Sequence, residues 1–233
     1  MARTWASRAS LRPILLVACI LSVDAALPCR SPLNYNFETP CFTTVAAKGP
    51  VAIRRYGAEE NTTLVITSDL DPGFGLTSGL DFGALMIFKY FTNSPGGQAA
   101  APGVVLTRTT PLTIRKNADK GWTVWMAAAH SQFPHGPPLP PPGQYEELSA
   151  LLLPGSTGHG GTAFFAVVNL TTASFPTEAE WDDACALATA PGALPRKFVL
   201  DSAPFAAATL ALYNQAGHDG PWTSECWVSV RPQ

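Results

Sequence analysis

Two stretches of this chain pass through the same order of hydrophobic periodicities, and that order restricts the fold more than any single motif does. In the first, a strand-like run over Thr63 to Thr67 precedes a helical stripe over Gly79 to Thr92; strands over Val104 to Ile114 and Gly121 to Ala129 follow. In the second, Thr162 to Leu170 precedes a helix over Pro176 to Ala190; Phe205 to Tyr213 and Ser224 to Val230 follow. Phe205 to Tyr213 fits strand or helix by composition. Two short runs, Cys41 to Ala47 and Val51 to Tyr56, lead into the first stretch. The residues do not repeat, but the order strand, helix, strand, strand does. An antiparallel, β-rich α+β architecture is the class this predicts.

The helices carry their own signals. Ser78 is placed to cap the first, with Asp81 three residues on in a capping-box arrangement. Leu80, Ala84, Ile87 and Phe91 form its stripe; Phe82, Leu85, Met86 and Phe88 widen it, so most of the helix is expected to be covered. Lys89 is the one cation among them. The second helix has Thr177 near its start and Glu178, Glu180, Asp182 and Asp183 in its first turns, where the dipole favours acids. Pro191-Gly192 stops it.

The strand Val51-Ala52-Ile53-Arg54-Arg55-Tyr56 poses an electrostatic question. Successive side chains in a strand point to opposite faces, so the two arginines lie on opposite faces. One is expected to be held inside or at the sheet's edge by a carboxylate, Glu225 being the preferred partner, and the other to be solvated.

Hydrophobic residues make up 46% of the 233 and charged residues 14%, enough apolar surface for a core. The net charge of −2 offers no basic footprint for nucleic acid. Residues 1–25 pattern as a secretory signal peptide: Arg3, Arg8 and Arg12, an apolar run from Ile14 to Val23, then Ala25 and Ala26. Residues 26–40 read as a lead-in and 41–233 as a single domain. With the signal removed no long apolar run remains, so stable membrane insertion is not expected. The expected location is outside the cell or in the lumen of the secretory pathway. Cys29, Cys41, Cys185 and Cys226 remain, an even number that suits an oxidising compartment. Of three pairings, Cys29–Cys41 with Cys185–Cys226 is preferred, because the first two are close in sequence. Asn61 and Asn169 open N-glycosylation sequons. The proline run within Ser131 to Gln144 reads as a rigid extended loop.

Catalytic signatures are missing from the sequence: it has no GxSxG, HExxH, P-loop or dinucleotide fingerprint. His130, His135, His159 and His218 are scattered, and no CxxC pair supports zinc.

The ordered set "IRRY", "FKYFTNS", "TRTTPL", "WTVWMAAAHSQFPHGPPLPPP" and "LYNQ…SECWVSV" resembles the SOUL/heme-binding protein family, most of all its secreted plant and algal branch. The resemblance spans about Cys41 to Val230. Its signature strand corresponds to Val51–Tyr56, its Pro-containing turn to Arg108–Leu112 and its Trp-containing end to Ser224–Trp227. It implies a twisted β-barrel flanked by two helices and built from two β-α-β-β halves. It also implies binding of heme or a related tetrapyrrole in an apolar groove beside the first helix. Leu85, Met86, Phe88, Lys89 and Tyr90 would line that groove, with Tyr213 approaching from the penultimate strand and Lys89 meeting a propionate. Such a protein would be a carrier or scavenger. Two other readings stay open. One is an enzyme acting on a tetrapyrrole or another apolar acidic metabolite, with Glu225 as acid or base. The other is a structural glycoprotein whose groove is vestigial.

Overall fold

The computed structural model describes residues 29, 37–56, 64–71, 73–91, 109–117, 121–127, 148–152, 162–201, 208–214 and 220–233. The strands are β1 (Thr43–Lys48), β2 (Val51–Tyr56), β3 (Leu64–Leu70), β4 (Leu112–Lys116), β5 (Trp122–Ala127), β6 (Leu148–Leu152), β7 (Ala163–Thr172), β8 (Phe198–Leu200), β9 (Thr209–Leu212) and β10 (Trp222–Pro232). Helix α1 (Leu76–Phe91) falls between β3 and β4, and α2 (Glu178–Thr189) between β7 and β8. One sheet contains all the strands in the order β1-β2-β7-β10-β9-β4-β5-β3-β6, with β8 added on β10. Its strand pairings are antiparallel.

This order is a palindrome about the β9·β4 junction. Exchanging β4 with β9, β5 with β10, β3 with β7 and β6 with β2 leaves it unchanged, apart from β1 and β8. Each half is therefore a strand, a helix and two strands, as the periodicities predict. Each half also sends its preceding strand across to the other: β2 pairs with β7, and β6 with β3. The crossed strands tie the halves together in a way that no local periodicity reveals. Strands β6 and β8 were not expected from the sequence.

The implied barrel is not closed. The ladder ends at β1 on one side and β6 on the other, and no pairing joins them among the described residues. The sheet is nevertheless strongly curled. β5 and β10 are three ladder steps apart, roughly 14 Å on a flat sheet, yet the Trp125 and Trp227 rings lie 5.9 Å apart. The concave face holds Tyr56, Trp125, Phe165, Tyr213 and Trp227; the other face carries the main core and both helices.

Helix α1 begins three residues before the expected start. Leu76 and Leu80, one turn apart, are both buried, so burial extends the helix backwards. Ser78 then lies in the first turn, where its hydroxyl accepts the Gly75 N–H at 3.0 Å. The helix lies very close to the sheet at Gly83, where an added Cβ would come within 2.5 Å of Val124. Helix α2 starts two residues after the expected Pro176: Thr177, placed near the start by the sequence, is its N-cap and closes a capping box with Glu180. Its buried residues Trp181, Ala184, Cys185 and Ala188 form a stripe facing the sheet.

The disulfides are Cys29–Cys41 and Cys185–Cys226, the preferred pairing. The second fastens α2 to β10. Two such bonds are the chemistry of an oxidising, secretory-type compartment. Among the described residues no helix is long and apolar enough to cross a membrane. The expected signal peptide, Asn61, the four histidines and the proline run lie outside the described residues. Asn169 is exposed on β7.

Candidate functional site

The two faces of the sheet hold two different polar arrangements. On the concave face, alternation along β2 turns Arg54 inward, and alternation along β10 turns Glu225 and Trp227 the same way. Arg54 and Glu225 form a two-pronged ion pair, with Nη1 donating to Oε2 and Nη2 to Oε1, both at 2.7 Å. The Tyr213 hydroxyl and the Trp227 indole N–H also donate to Glu225 Oε2, each at 2.7 Å. Phe42 lies 4.2 Å from the guanidinium carbon of Arg54, a cation–π contact. Glu225 is fully buried and Arg54 is 8% exposed.

The electrostatics follow from this burial. Desolvation opposes the charge on Arg54, but the hydrogen bonds and negative charge of Glu225 outweigh it and hold the guanidinium above its ordinary pKa. Burial pushes the Tyr213 hydroxyl up, and the neighbouring Glu225 charge adds to the effect. Burial likewise raises Tyr56. Glu225 thus accepts four hydrogen bonds among aromatic rings. This arrangement is a structural lock that ties β2 to β10. The expected Arg54–Glu225 pair is present. Arg55, expected to be solvated, is half-buried, because the opposite face of β2 is part of the main core.

On the helix-bearing face, a groove of about 380 Å³ runs between α1 and the β4–β9 junction of the two halves. Leu80, Ala84 and Phe88 supply one wall, at helical spacing. Leu112, Met126 and Leu212 form its floor, and Phe175 and Trp222 close the far side with rings 5.3 Å apart, edge to face. Phe37 borders the groove close to the Cys29–Cys41 disulfide, where Thr39 N–H also donates to the Cys29 carbonyl. The polar wall residues are Thr77, Asp81, Thr109, Thr110 and Asn214.

The expected site residues divide on this geometry. Phe88 lines the groove. Met86 is two residues away, about 200° round the helix, and is buried on the other flank. Leu85 is 49% exposed and points outward, so α1 is less covered than expected. The side chains of Lys89 and Tyr90 lie outside the described residues. Tyr213 is on the wrong face: its neighbour Leu212 lines the groove, so alternation turns Tyr213 into the concave box. Sequence reasoning passed over Phe37, Phe175 and Trp222, which come from three separate elements. The Leu80–Ala84–Phe88 line was the available signal.

Among the described residues no cluster of His, Cys, Asp or Glu could hold a metal ion. Of the described groove residues, Met126 alone has a side chain of a type known to ligate haem iron.

No family model matches the sequence, and no curated protein matches it. Among solved structures, the chain is similar to a hydrolase from Listeria innocua, with 9% sequence identity, a TM-score of 0.40, and coverage of 80% of this chain and 94% of that one.

Proposed function

We propose that this chain is a secreted binding protein whose groove takes a flat, largely apolar molecule, a tetrapyrrole of the kind implied by the SOUL resemblance. The observation that carries this reading is the open, aromatic-walled groove beside α1, on the flank that includes Phe88. Its volume of about 380 Å³ falls in the range of small-molecule sites. Covering about 200 Å² of apolar ligand surface contributes about 5 kcal/mol before the cost of immobilising the ligand is subtracted. On this reading the ligand occupies the groove beside α1, on the opposite side of the sheet from the concave face.

The test is a hemin titration of the purified protein. A shifted Soret band that saturates at micromolar hemin, and weakens in Phe88→Ala, is the expected result. Flat absorbance over that range would overturn the proposal and favour a structural glycoprotein with an unused groove.

A further inference from the structure

The two disulfides differ in access and in what they hold. Cys185 and Cys226 are buried, whereas Cys29 and Cys41 are both only half-buried. Thiol–disulfide exchange requires an approach to sulfur, so a small dithiol should reach the Cys29–Cys41 bond first. That bond anchors a short strap, Phe37 to Phe42, which touches both faces of the sheet. At one end Phe37 borders the groove. Behind it Glu38 and Thr39 are buried. The Glu38 carbonyl accepts the Thr110 N–H at 2.9 Å, and the Thr39 N–H donates to the Cys29 carbonyl at 3.0 Å. At the other end Phe42 packs on Tyr56, with ring centroids 5.6 Å apart, and on the Arg54 guanidinium. The strap precedes β1, and Glu38 meets Thr109 in an isolated bridge. Phe37 is therefore positioned by that bridge, by backbone hydrogen bonds and by the disulfide, not by a strand ladder.

We infer that the Cys29–Cys41 bond sets the Phe37 wall of the groove, so that its reduction weakens ligand binding while the Cys185–Cys226 bond keeps the fold. The reductant is a dithiol: its two sulfurs join, the Cys29–Cys41 bond breaks, and two electrons and two protons pass to Cys29 and Cys41. The binding form is then the form made in an oxidising compartment. The inference rests on the binding-groove reading and adds a control to it.

Limited reduction with dithiothreitol, alkylation with iodoacetamide, desalting and peptide mapping, followed by hemin titration, test it. The label is expected on Cys29 and Cys41 before Cys185 and Cys226, and hemin affinity is expected to fall about fivefold as it enters. Cys29→Ser with Cys41→Ser should give the same loss and leave the near-UV circular dichroism unchanged. Phe37→Ala should give a similar loss. Adding it to the two serines should cost little more, because both changes act through one ring. Label entering Cys185 and Cys226 first, unchanged hemin affinity in the serine variant, losses that add in full, or a serine variant that does not fold would each overturn the inference. Hemin binding by the wild type leaves the groove reading standing in all four cases. If the wild type binds no hemin, the binding-groove reading itself fails and this inference falls with it.

Discussion

The two faces of the curled sheet use polar groups in opposite ways. On the concave face, Arg54, Glu225, Tyr213 and Trp227 pair with one another at 2.7 Å and fill the space between aromatic rings. On the helix-bearing face, an open groove is walled mainly by aliphatic and aromatic side chains, with its polar residues at Thr77, Asp81, Thr109, Thr110 and Asn214. A buried network whose groups bond to one another specifies one arrangement, although Arg54 Nε and Trp125 Nε1 on the concave face have no partner among the described residues. Buried charge marks the locked face, and open apolar space marks the other.

The largest effect expected from this contrast is on the locked face. Glu225→Gln leaves Arg54 buried without its counter-charge and should lower the unfolding free energy by about 3–5 kcal/mol. Replacing both partners, Arg54→Met with Glu225→Gln, leaves no lone charge and keeps an amide oxygen for Tyr213 and Trp227, so it should recover part of that loss. Asp81→Asn at the groove rim should change stability by less than about 0.5 kcal/mol. Urea unfolding of the four proteins, wild type included, checks the ordering. Equal losses in Glu225→Gln and Asp81→Asn would break the comparison.

Next in size is the fastening of α2 to the sheet. Cys185 and Cys226 close a loop with a sequence separation of 41, so replacing both with Ala should cost about 3–4 kcal/mol. Gly83→Ala comes third. Its methyl would meet Val124 at 2.5 Å, and a branched side chain gives way poorly. A loss of about 1–3 kcal/mol is expected despite the better helix propensity of Ala. Gly73→Ala, with nothing within 4 Å, should be close to neutral in the same assay.

Much of this architecture was legible in the sequence because period and parity are local properties. The repeated strand-helix-strand-strand order and the placing of Arg54 and Arg55 on opposite faces follow from alternation and helical spacing, whereas Glu225 was a preferred partner that alternation alone could not choose. The crossed strands β2 and β6 were not legible, since a strand's partner is chosen across the sheet and not by its own residues. Tyr213 was assigned to the groove by resemblance. Parity alone places Leu212 and Tyr213 on opposite faces, so only one of them can reach the groove. The groove itself is built from α1, the β4–β9 junction, Phe37, Phe175 and Trp222, which come together only in the folded chain.

A further effect is on pH dependence, and it belongs to the concave face. Burial raises both Tyr213 and Tyr56 above the ordinary tyrosine value. The folded state holds these protons more tightly, so their contribution is complete below the unfolded value of about 10. Above it the contribution declines, by about 1.4 kcal/mol per pH unit for each tyrosine. Urea midpoints measured from pH 9 to 11 should fall more steeply in the wild type than in Tyr213→Phe. Identical slopes would place Tyr213 outside the buried network.

The most direct test of the central claim is a pair of titrations with hemin, one on Leu80→Trp and one on Tyr213→Phe. Near-UV circular dichroism would establish that both variants are folded. Leu80→Trp fills the groove beside α1 and should weaken binding at least about tenfold. Tyr213→Phe alters only the concave face and should bind as the wild type does. Binding that survives Leu80→Trp and is lost in Tyr213→Phe would put the ligand on the concave face and contradict the account.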